Sequence, residues 1–281
     1  MRIALLQYTI YWADKKRNLQ AAVEHIQALQ GKADVALLPE MFTTGFVTSQ
    51  PELAEPVDGT TITTLQRVAD ETRIAIVGSF ICCDQGHLYN RGFFLTPSAE
   101  GGLSVEDGPS GAAGLSAQRS FSEAVFIDKS HLYAHGGEDR FFVAGRERTI
   151  INYMGVRFRL AICYDLRFPV WLRQDKNNLY DILLVTANWP ECRIAYWDHL
   201  VPARAFENQC YIAAVNPVGE DDKGLHYNGH SVAYGSHPEP LVTFADDEQA
   251  TKIVTFDIDA LHHFRQVLPL YQDADTYELE D

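Results

Sequence analysis

Three residues of complementary chemistry, Glu40, Lys129 and Cys163, lie far apart in the chain. A free cysteine thiol has a pKa of about 8.5, so at neutral pH it needs a nearby base or positive charge to attack a carbonyl. Glu40 can accept the thiol proton, and Lys129 can favour the thiolate. When the sulfur attacks an amide, Lys129 and the backbone N–H of Tyr164 can stabilise the negative charge that moves onto the carbonyl oxygen. Together, these residue types indicate thiol-dependent amide hydrolysis.

Each of the three residues follows a predicted β-strand. Apolar runs predict these strands at 35–38, 124–127 and 156–162. In α/β proteins the strand ends project side chains into a common crevice, which favours one shared site. Taken singly, the glutamate would be a cap or a surface charge, the lysine a solvated side chain and the cysteine a packing residue.

The rest of the chain alternates between helix and strand patterns. Helices are predicted around Leu19, Val23 and Ile26, from Gly59 to Arg73, from Pro169 onward and at 194–208, where Pro202 should kink or divide the helix. Further strands are predicted at 2–8, 74–81, 92–95, 148–153, 182–185, 211–215, 229–234 and 252–257. This alternation predicts an α/β fold with a single domain spanning residues 1–281.

Two segments break the alternation. Residues 97–120 are rich in Gly, Ser, Ala and Pro and contain almost no large apolar side chains, which predicts an exposed loop insertion. Such a loop is most simply a tolerated surface feature, although it could close over the site or meet another subunit. The C-terminal tail, about 268–281, ends in the acidic stretch 273–281, which we expect to pack on the body or on a second subunit.

Composition and net charge indicate which kind of ligand the protein binds. Hydrophobic residues make up 46% of the 281 residues and charged residues 22%, which is typical of soluble globular proteins. The net charge of -15 argues against nucleic acid and anionic membranes and favours a small-molecule substrate. The five cysteines have no CxxC spacing, so they indicate neither a disulfide framework nor a zinc site. The first apolar run is too short for a signal peptide, and we expect a cytoplasmic protein without a membrane span.

The sequence around the three residues is more specific than the residues themselves. The segments Leu37–Phe42, Asp128–Leu132 and Ala161–Pro169 resemble the three signature segments of the nitrilase superfamily and occur in the same order. The resemblance continues through 186–190 and 203–209 and covers nearly the whole chain except 97–120 and the tail.

This resemblance implies a four-layer α-β-β-α sandwich, a homodimer or larger assembly, and a reaction without metal or organic cofactor. It assigns Cys163 as nucleophile, Glu40 as general base and Lys129 as oxyanion stabiliser. Glu138 precedes Gly145 by the interval found for a second glutamate in family members, which implies that it orients Lys129 and the incoming water. The alternative is a loop glutamate paired with a neighbouring arginine, Arg140 or Arg146. Asp165 and Arg167 are expected to form a structural pair beneath the nucleophile, with substrate contact as the alternative.

The segment Met41–Phe46 is similar to the ω-amidase branch, whose members remove the terminal amide of 2-oxo acids such as 2-oxoglutaramate and 2-oxosuccinamate. Such a substrate needs donors for its far carboxylate. The candidate substrate contacts are four possible donors, two apolar walls and one amide: Thr43, Thr44, Arg193, Tyr196, Phe46, Trp189 and Asn188. His230 stands where an acidic residue is frequent in this branch.

Three rival functions remain open at this point. Another branch of the superfamily would act on deaminated glutathione, an N-carbamoyl compound or a nitrile with the same trio. A papain-like protease would need a catalytic histidine, but His131, His199 and His226 lie in no protease-like segment. A non-catalytic binding protein would have no evident need for a thiol in this setting.

Overall fold

Two large β-sheets form the centre of the fold in the computed structural model, which describes residues 1–98, 103–106, 124–176, 178–275 and 277. The first sheet has the strand order β15-β1-β2-β3-β4-β6. Its strands are β1 (Arg2–Gln7), β2 (Val35–Leu37), β3 (Ala75–Asp84), β4 (His87–Leu95), β6 (Ala124–Asp128) and β15 (Ala250–Thr255). Strands β1, β2 and β3 are parallel neighbours, and the remaining pairs are antiparallel.

The second sheet has the order β14-β13-β10-β9-β8-β7-β5. Its strands are β5 (Ser104–Glu106), β7 (Ile150–Tyr153), β8 (Val156–Ile162), β9 (Ile182–Thr186), β10 (Tyr211–Val215), β13 (Val232–Tyr234) and β14 (Pro240–Thr243). A small hairpin of β11 (Val218–Glu220) and β12 (His226–Asn228) stands beside the sheets. Parallel neighbours β8, β9 and β10 end at the same edge, where Cys163 begins the next segment.

Alternating side chains explain how the layers pack. In β1, Ile3 and Leu5 lie in the core between the two sheets, whereas Ala4 and Leu6 face helices α1 (Lys15–Gln27) and α2 (Thr60–Thr72). In β9, Leu184 joins the core between the sheets and Leu183 packs on the opposite side. Helices α3 (Pro169–Leu172) and α4 (Ile194–Asn208) cover that outer face, and α5 (Ile258–Val267) follows the last strand. The predicted four-layer α-β-β-α sandwich is confirmed.

Several local predictions need correction. Pro202 lies inside one continuous helix, α4, whose Trp197, Val201 and Ala205 are buried on the sheet before and after the proline. The helix is therefore not divided. Strand β13 begins at Val232 rather than 229, because the carbonyl of Gly229 and the N–H of Ser231 bond to the side chains of Asn216 and Gln7 instead of to a neighbouring strand.

The predicted loop insertion is only partly described. Strand β5, Ser104–Glu106, lies within 97–120 and pairs antiparallel with β7, so this part is not a loop. Residues 99–102 and 107–123 lie outside the described residues. In the tail, the hydroxyl of Tyr277 accepts a hydrogen bond from Arg148 and donates one to the carbonyl of Arg173, which attaches this residue to the body of the protein. Across the described ranges, no helix is long and apolar enough to cross a membrane.

Candidate active site

Cys163 occupies the sharp turn at the end of β8. Its φ of 46° is left-handed, a conformation that strains a non-glycine residue and that is common at functional sites. The residue also begins a 3₁₀-helix, Cys163–Arg167. The Asp165 carboxylate holds this turn in place by accepting hydrogen bonds from the backbone N–H of Ile162 at 3.1 Å and of His131 at 2.9 Å. The expected pair between Asp165 and Arg167 is not formed.

Glu40 follows β2 and is completely buried. Its Oε1 accepts hydrogen bonds from Lys129 Nζ at 2.9 Å and from Asn90 Nδ2 at 2.8 Å. Its Oε2 accepts the backbone N–H of Asn188 at 2.8 Å. The carbonyl of Asn188 in turn lies 3.9 Å from the Sγ of Cys163 and accepts its weak hydrogen bond. Asn188 therefore joins the carboxylate to the thiol.

Lys129 is also buried and lies between two carboxylates. Its Nζ is 2.9 Å from Glu40 Oε1 and 2.8 Å from Glu138 Oε2. The main chain of Lys129 is fixed on both sides, since its N–H donates to Asn90 O at 3.0 Å and its carbonyl accepts from Gly145 N at 2.9 Å. A Cβ on Gly145 would lie 2.3 Å from the carbonyl oxygen of Asp128, so glycine permits this close approach.

Glu138 is buried beside them in a short 3₁₀-helix. Besides Lys129, its carboxylate accepts from Asn90 Nδ2 at 2.9 Å and from the backbone N–H of Tyr133 at 2.7 Å. These partners replace the alternative pairing with Arg140 or Arg146. The structure thus brings together Glu40, Lys129, Cys163 and Glu138, which are up to 123 residues apart in sequence (163 − 40).

The electrostatics of the group follow from its burial. Burial raises the pKa of the Cys163 thiol well above its ordinary value, and the charge of Glu40 raises it further, outweighing the opposite effect of Lys129. Burial likewise raises the pKa of Glu40, against the attraction of Lys129. Burial opposes the charge of Lys129, yet Glu138 and Glu40 together raise its pKa. Burial and the charge of Glu40 therefore disfavour the thiolate more than Lys129 favours it, so attack by the sulfur depends on a base.

A cavity of about 400 Å³ opens above this group, and Cys163 and Tyr164 form part of its lining. Tyr164 is the second residue of the 3₁₀-helix, and the first N–H groups of a helix have no partner within it. Of the candidate substrate contacts, Phe46, Asn188, Trp189 and Arg193 line the cavity. Phe46 also lies over the ammonium of Lys129, with 5.3 Å between Nζ and the ring centroid.

The two candidate threonines make hydrogen bonds within the protein. Thr43 and Thr44 are buried and are not among the described residues that line the cavity. The hydroxyl of Thr44 donates to the carbonyl of Gly45 at 2.8 Å, and the carbonyl of Thr43 accepts from Asn18 Nδ2 at 2.8 Å. Both threonines therefore stabilise the turn after Glu40.

Arg167 and Arg193 contribute positive charge to the cavity. The guanidinium of Arg167 lies 4.8 Å from the ring centroid of Trp189 and 4.7 Å from that of Tyr196. Tyr196 is 57% exposed, contacts Arg167 and is not among the described residues that line the cavity. Arg193 lies over the ring of Tyr133 at 5.3 Å and donates to its hydroxyl. Within the described residues, neither arginine has a carboxylate partner, so both can bind an anionic ligand.

Sequence reasoning missed Asn90, and for Arg167, which lines the cavity, it favoured a structural pair over substrate contact. Asparagine is depleted in strand interiors, but Asn90 precedes the predicted strand at 92–95, so its place inside β4 gave no signal in the sequence. The aromatic residues Trp12, Tyr133 and Tyr227 also line the cavity, as does Lys223 from the turn of the β11–β12 hairpin. In the described part of the chain, no group of three or more His, Cys, Asp or Glu side chains could hold a metal ion.

Comparison with known proteins agrees with this geometry. The carbon-nitrogen hydrolase family model matches residues 2–266. The omega-amidase YafV of Escherichia coli is 34% identical over 280 residues, covering 99% of this chain and 98% of that protein. A 2-oxoglutaramate amidase of Bacillus subtilis is 28% identical over 273 residues, covering 96% of each chain.

A solved structure supports the same conclusion. It is a CN-hydrolase superfamily protein from Xanthomonas campestris with an arsenic adduct in its active site. It superposes with a TM-score of 0.88 at 31% identity, covering 100% of this chain and 99% of that one. This chain belongs to the carbon-nitrogen hydrolase family, within the nitrilase superfamily. It is a hydrolase that acts on carbon–nitrogen bonds other than peptide bonds.

Proposed function

We propose that this enzyme hydrolyses the terminal amide of small 2-oxo dicarboxylate monoamides, such as 2-oxoglutaramate and 2-oxosuccinamate, through a thioester on Cys163. The observation that carries the proposal is the buried group in which Lys129 binds both Glu40 and Glu138 beside the thiol. The products are the 2-oxo dicarboxylate and ammonia.

The first half-reaction forms the thioester. Glu40 takes the proton of Cys163 as the sulfur attacks the amide carbon, which leaves one negative charge on the carbonyl oxygen. The ammonium of Lys129 and the N–H of Tyr164 stabilise that charge. When the tetrahedral intermediate collapses, the C–N bond breaks and the leaving nitrogen takes the proton from Glu40, which releases ammonia and restores the carboxylate.

The second half-reaction releases the acid. Glu40 takes a proton from water, and the resulting hydroxide attacks the thioester carbon. Collapse of this second intermediate breaks the C–S bond, and the leaving sulfur takes the proton back from Glu40. Glu138 keeps Lys129 in position through both steps, since it accepts two hydrogen bonds from Nζ at 2.8 and 3.1 Å.

The residues that line the cavity favour a substrate with a carboxylate at the end far from the amide. Arg167 and Arg193 line it without carboxylate partners among the described residues, and a guanidinium can bind a carboxylate with two parallel hydrogen bonds. Phe46 and Trp189 supply apolar surface for the short carbon chain. The names of the E. coli and B. subtilis relatives point to the same class of substrate.

Ammonia release across a panel of compounds tests the proposal. The panel contains 2-oxoglutaramate, 2-oxosuccinamate, succinamate, an N-carbamoyl amine and a nitrile. We expect the two 2-oxo acid amides to give the highest kcat/KM. If they and succinamate release no ammonia while the carbamoyl compound does, the substrate assignment is wrong although the family assignment stands.

A further inference from the structure

Asn90 touches all three charged residues of the buried group. Its backbone carbonyl accepts the N–H of Lys129 at 3.0 Å. Its Nδ2 donates to Glu40 Oε1 at 2.8 Å and to Glu138 Oε1 at 2.9 Å. The side chain is completely buried in β4, so water does not compete for these contacts.

The orientation of the amide is fixed by charge. Both neighbours of Nδ2 are carboxylate oxygens, which accept hydrogen bonds and do not donate them when ionised. Turning the amide over would place its own oxygen against these two oxygens. In the observed orientation, Asn90 Oδ1 is buried and has no hydrogen-bond partner among the residues that the structure describes. Buried polar atoms are almost always paired, so the fold tolerates an unfavourable oxygen in order to place the NH₂ group here.

Lys129 and Asn90 share one oxygen of each glutamate, and Lys129 also binds Glu138 Oε2 at 2.8 Å. Lys129 Nζ donates to Glu40 Oε1 at 2.9 Å and to Glu138 Oε1 at 3.1 Å, the same two oxygens that Asn90 Nδ2 binds. Asn90 therefore separates two like charges with a neutral donor and adds no charge of its own. The contacts of Lys129 and Asn90 with Glu40 favour its ionised form.

This pattern leaves the two oxygens of Glu40 unequal. Oε1 accepts two hydrogen bonds, from Lys129 and Asn90, whereas Oε2 accepts one, from the N–H of Asn188. Asn188 also holds the thiol of Cys163 through its carbonyl. The oxygen with a spare lone pair is therefore the one joined to the nucleophile.

We propose that Asn90 is a positioning residue that favours the ionised form of Glu40 by binding Oε1 and directs the thiol proton to Oε2. This inference rests on the proposed function, because it concerns the transfer of the Cys163 proton to Glu40. Without the amide, Oε1 loses one of its two donors, and the two glutamates face each other with only Lys129 between them. Glu40 then becomes harder to ionise, and proton uptake is no longer confined to Oε2.

Alkylation of Cys163 by iodoacetamide, followed against pH by peptide mass spectrometry, tests this step without a substrate. In Asn90→Ala we expect the rise of the rate with pH to move upward by about one pH unit, because the ionised Glu40 loses a hydrogen bond. Asn90→Asp keeps the size of the side chain but adds a third negative charge. In this variant the rise of the alkylation rate should move to a still higher pH. Ammonia release should lose kcat, on the order of tenfold in Asn90→Ala, with little change in KM.

Asn208→Ala is the matched control. Asn208 is a buried asparagine at the end of α4 that donates to Arg204 O at 2.9 Å and accepts from Gln174 N at 2.8 Å, outside the site. It should lower the Tm and leave the pH dependence of alkylation unchanged. An alkylation profile in both Asn90 variants that coincides with that of the parent enzyme overturns the proposal. A shifted profile in an enzyme that releases no ammonia from any amide retains the role of Asn90 and refutes the proposed function.

Discussion

The site contains two kinds of cation, and they are held in different ways. Lys129 is completely buried and binds two carboxylates at distances of 2.8 and 2.9 Å. Arg167 and Arg193 are half-buried on the cavity wall and rest on aromatic rings, without a carboxylate partner in the described part of the chain. Lys129 thus has carboxylate partners without substrate, whereas the two arginines have none among the described residues.

The difference follows from the cost of burying charge. A fully buried ammonium must be paired within the protein, because an unpaired charge there is strongly destabilising. A guanidinium that is partly hydrated and lies on an aromatic face is stable without an ion pair and remains free to bind a ligand. The buried group is thus suited to the chemical step, and the cavity wall to substrate selection. Substitutions in the two regions should separate kcat from KM.

Removal of the base should have the largest effect. In Glu40→Gln the side chain no longer accepts the thiol proton, so we expect kcat to fall by about 10⁴-fold or more. Steady-state ammonia release measures this loss. In the matched variant Glu138→Gln, kcat should fall less, because Glu138 acts through Lys129. Equal losses in the two variants would contradict the different roles given to the two glutamates.

Removal of the shared cation should damage stability as well as activity. Lys129→Met leaves two buried carboxylates facing each other, and we expect a loss of about 3–5 kcal/mol in the free energy of unfolding. Denaturant titration measures it. The double variant Lys129→Met/Glu138→Gln removes one of the two charges and should regain part of the stability but none of the activity. Recovery of activity in the double variant would show that Lys129 has no role beyond ion pairing.

Substitution of the cavity wall should change substrate choice. In Arg193→Met we expect kcat/KM for 2-oxoglutaramate to fall on the order of 10–100-fold, mainly through KM, because the far carboxylate loses a charged hydrogen bond. The neutral amide butyramide, which has no carboxylate, is the control substrate and should be affected little. If both substrates lose the same factor, Arg193 supports the fold of the cavity and does not read the carboxylate.

The smallest effect is expected for His230, which lies near the surface between two aspartates. The ring nitrogens of His230 face Asp198 at 2.9 Å and Asp246 at 2.6 Å. Burial lowers the pKa of His230, but hydrogen bonds to these two carboxylates outweigh burial and raise it. Because the folded pKa exceeds the unfolded one, the stabilisation is complete below the unfolded pKa of about 6.5 and is lost as pH rises through the folded value. The Tm deficit of His230→Gln should therefore be largest near about pH 6 and smaller near about pH 9. A deficit that does not change with pH would contradict this.

The sequence predicted the strands well where apolar runs are long and buried. Strand β9, predicted at 182–185, is observed at Ile182–Thr186 and is entirely buried. Helix α5, Ile258–Val267, was missed although Leu261 is buried and Ile258, three residues earlier, packs against the core. Strand β14 was missed because it begins with a proline and is mostly exposed.

The sequence predicted that the charged residues and the thiol share one region, and the structure brings them together. It could not predict contacts that depend on local geometry. Thr43 and Thr44 have suitable donors, but the turn after Glu40 places them away from the cavity. Asp165 and Arg167 are two positions apart in a helix of about three residues per turn, so they point in different directions and do not pair. That the two arginines have no carboxylate partner among the described residues likewise depends on tertiary packing.

The most direct test of the account is the fate of Cys163 during turnover. The enzyme is mixed with excess 2-oxoglutaramate, quenched in acid within one turnover and analysed by peptide mass spectrometry. The account predicts a 2-oxoglutaryl group on Cys163 that forms and decays at rates consistent with ammonia release, and neither adduct nor ammonia in Cys163→Ser. Ammonia released by Cys163→Ser at the rate of the parent enzyme, with no adduct, would contradict thiol-mediated hydrolysis.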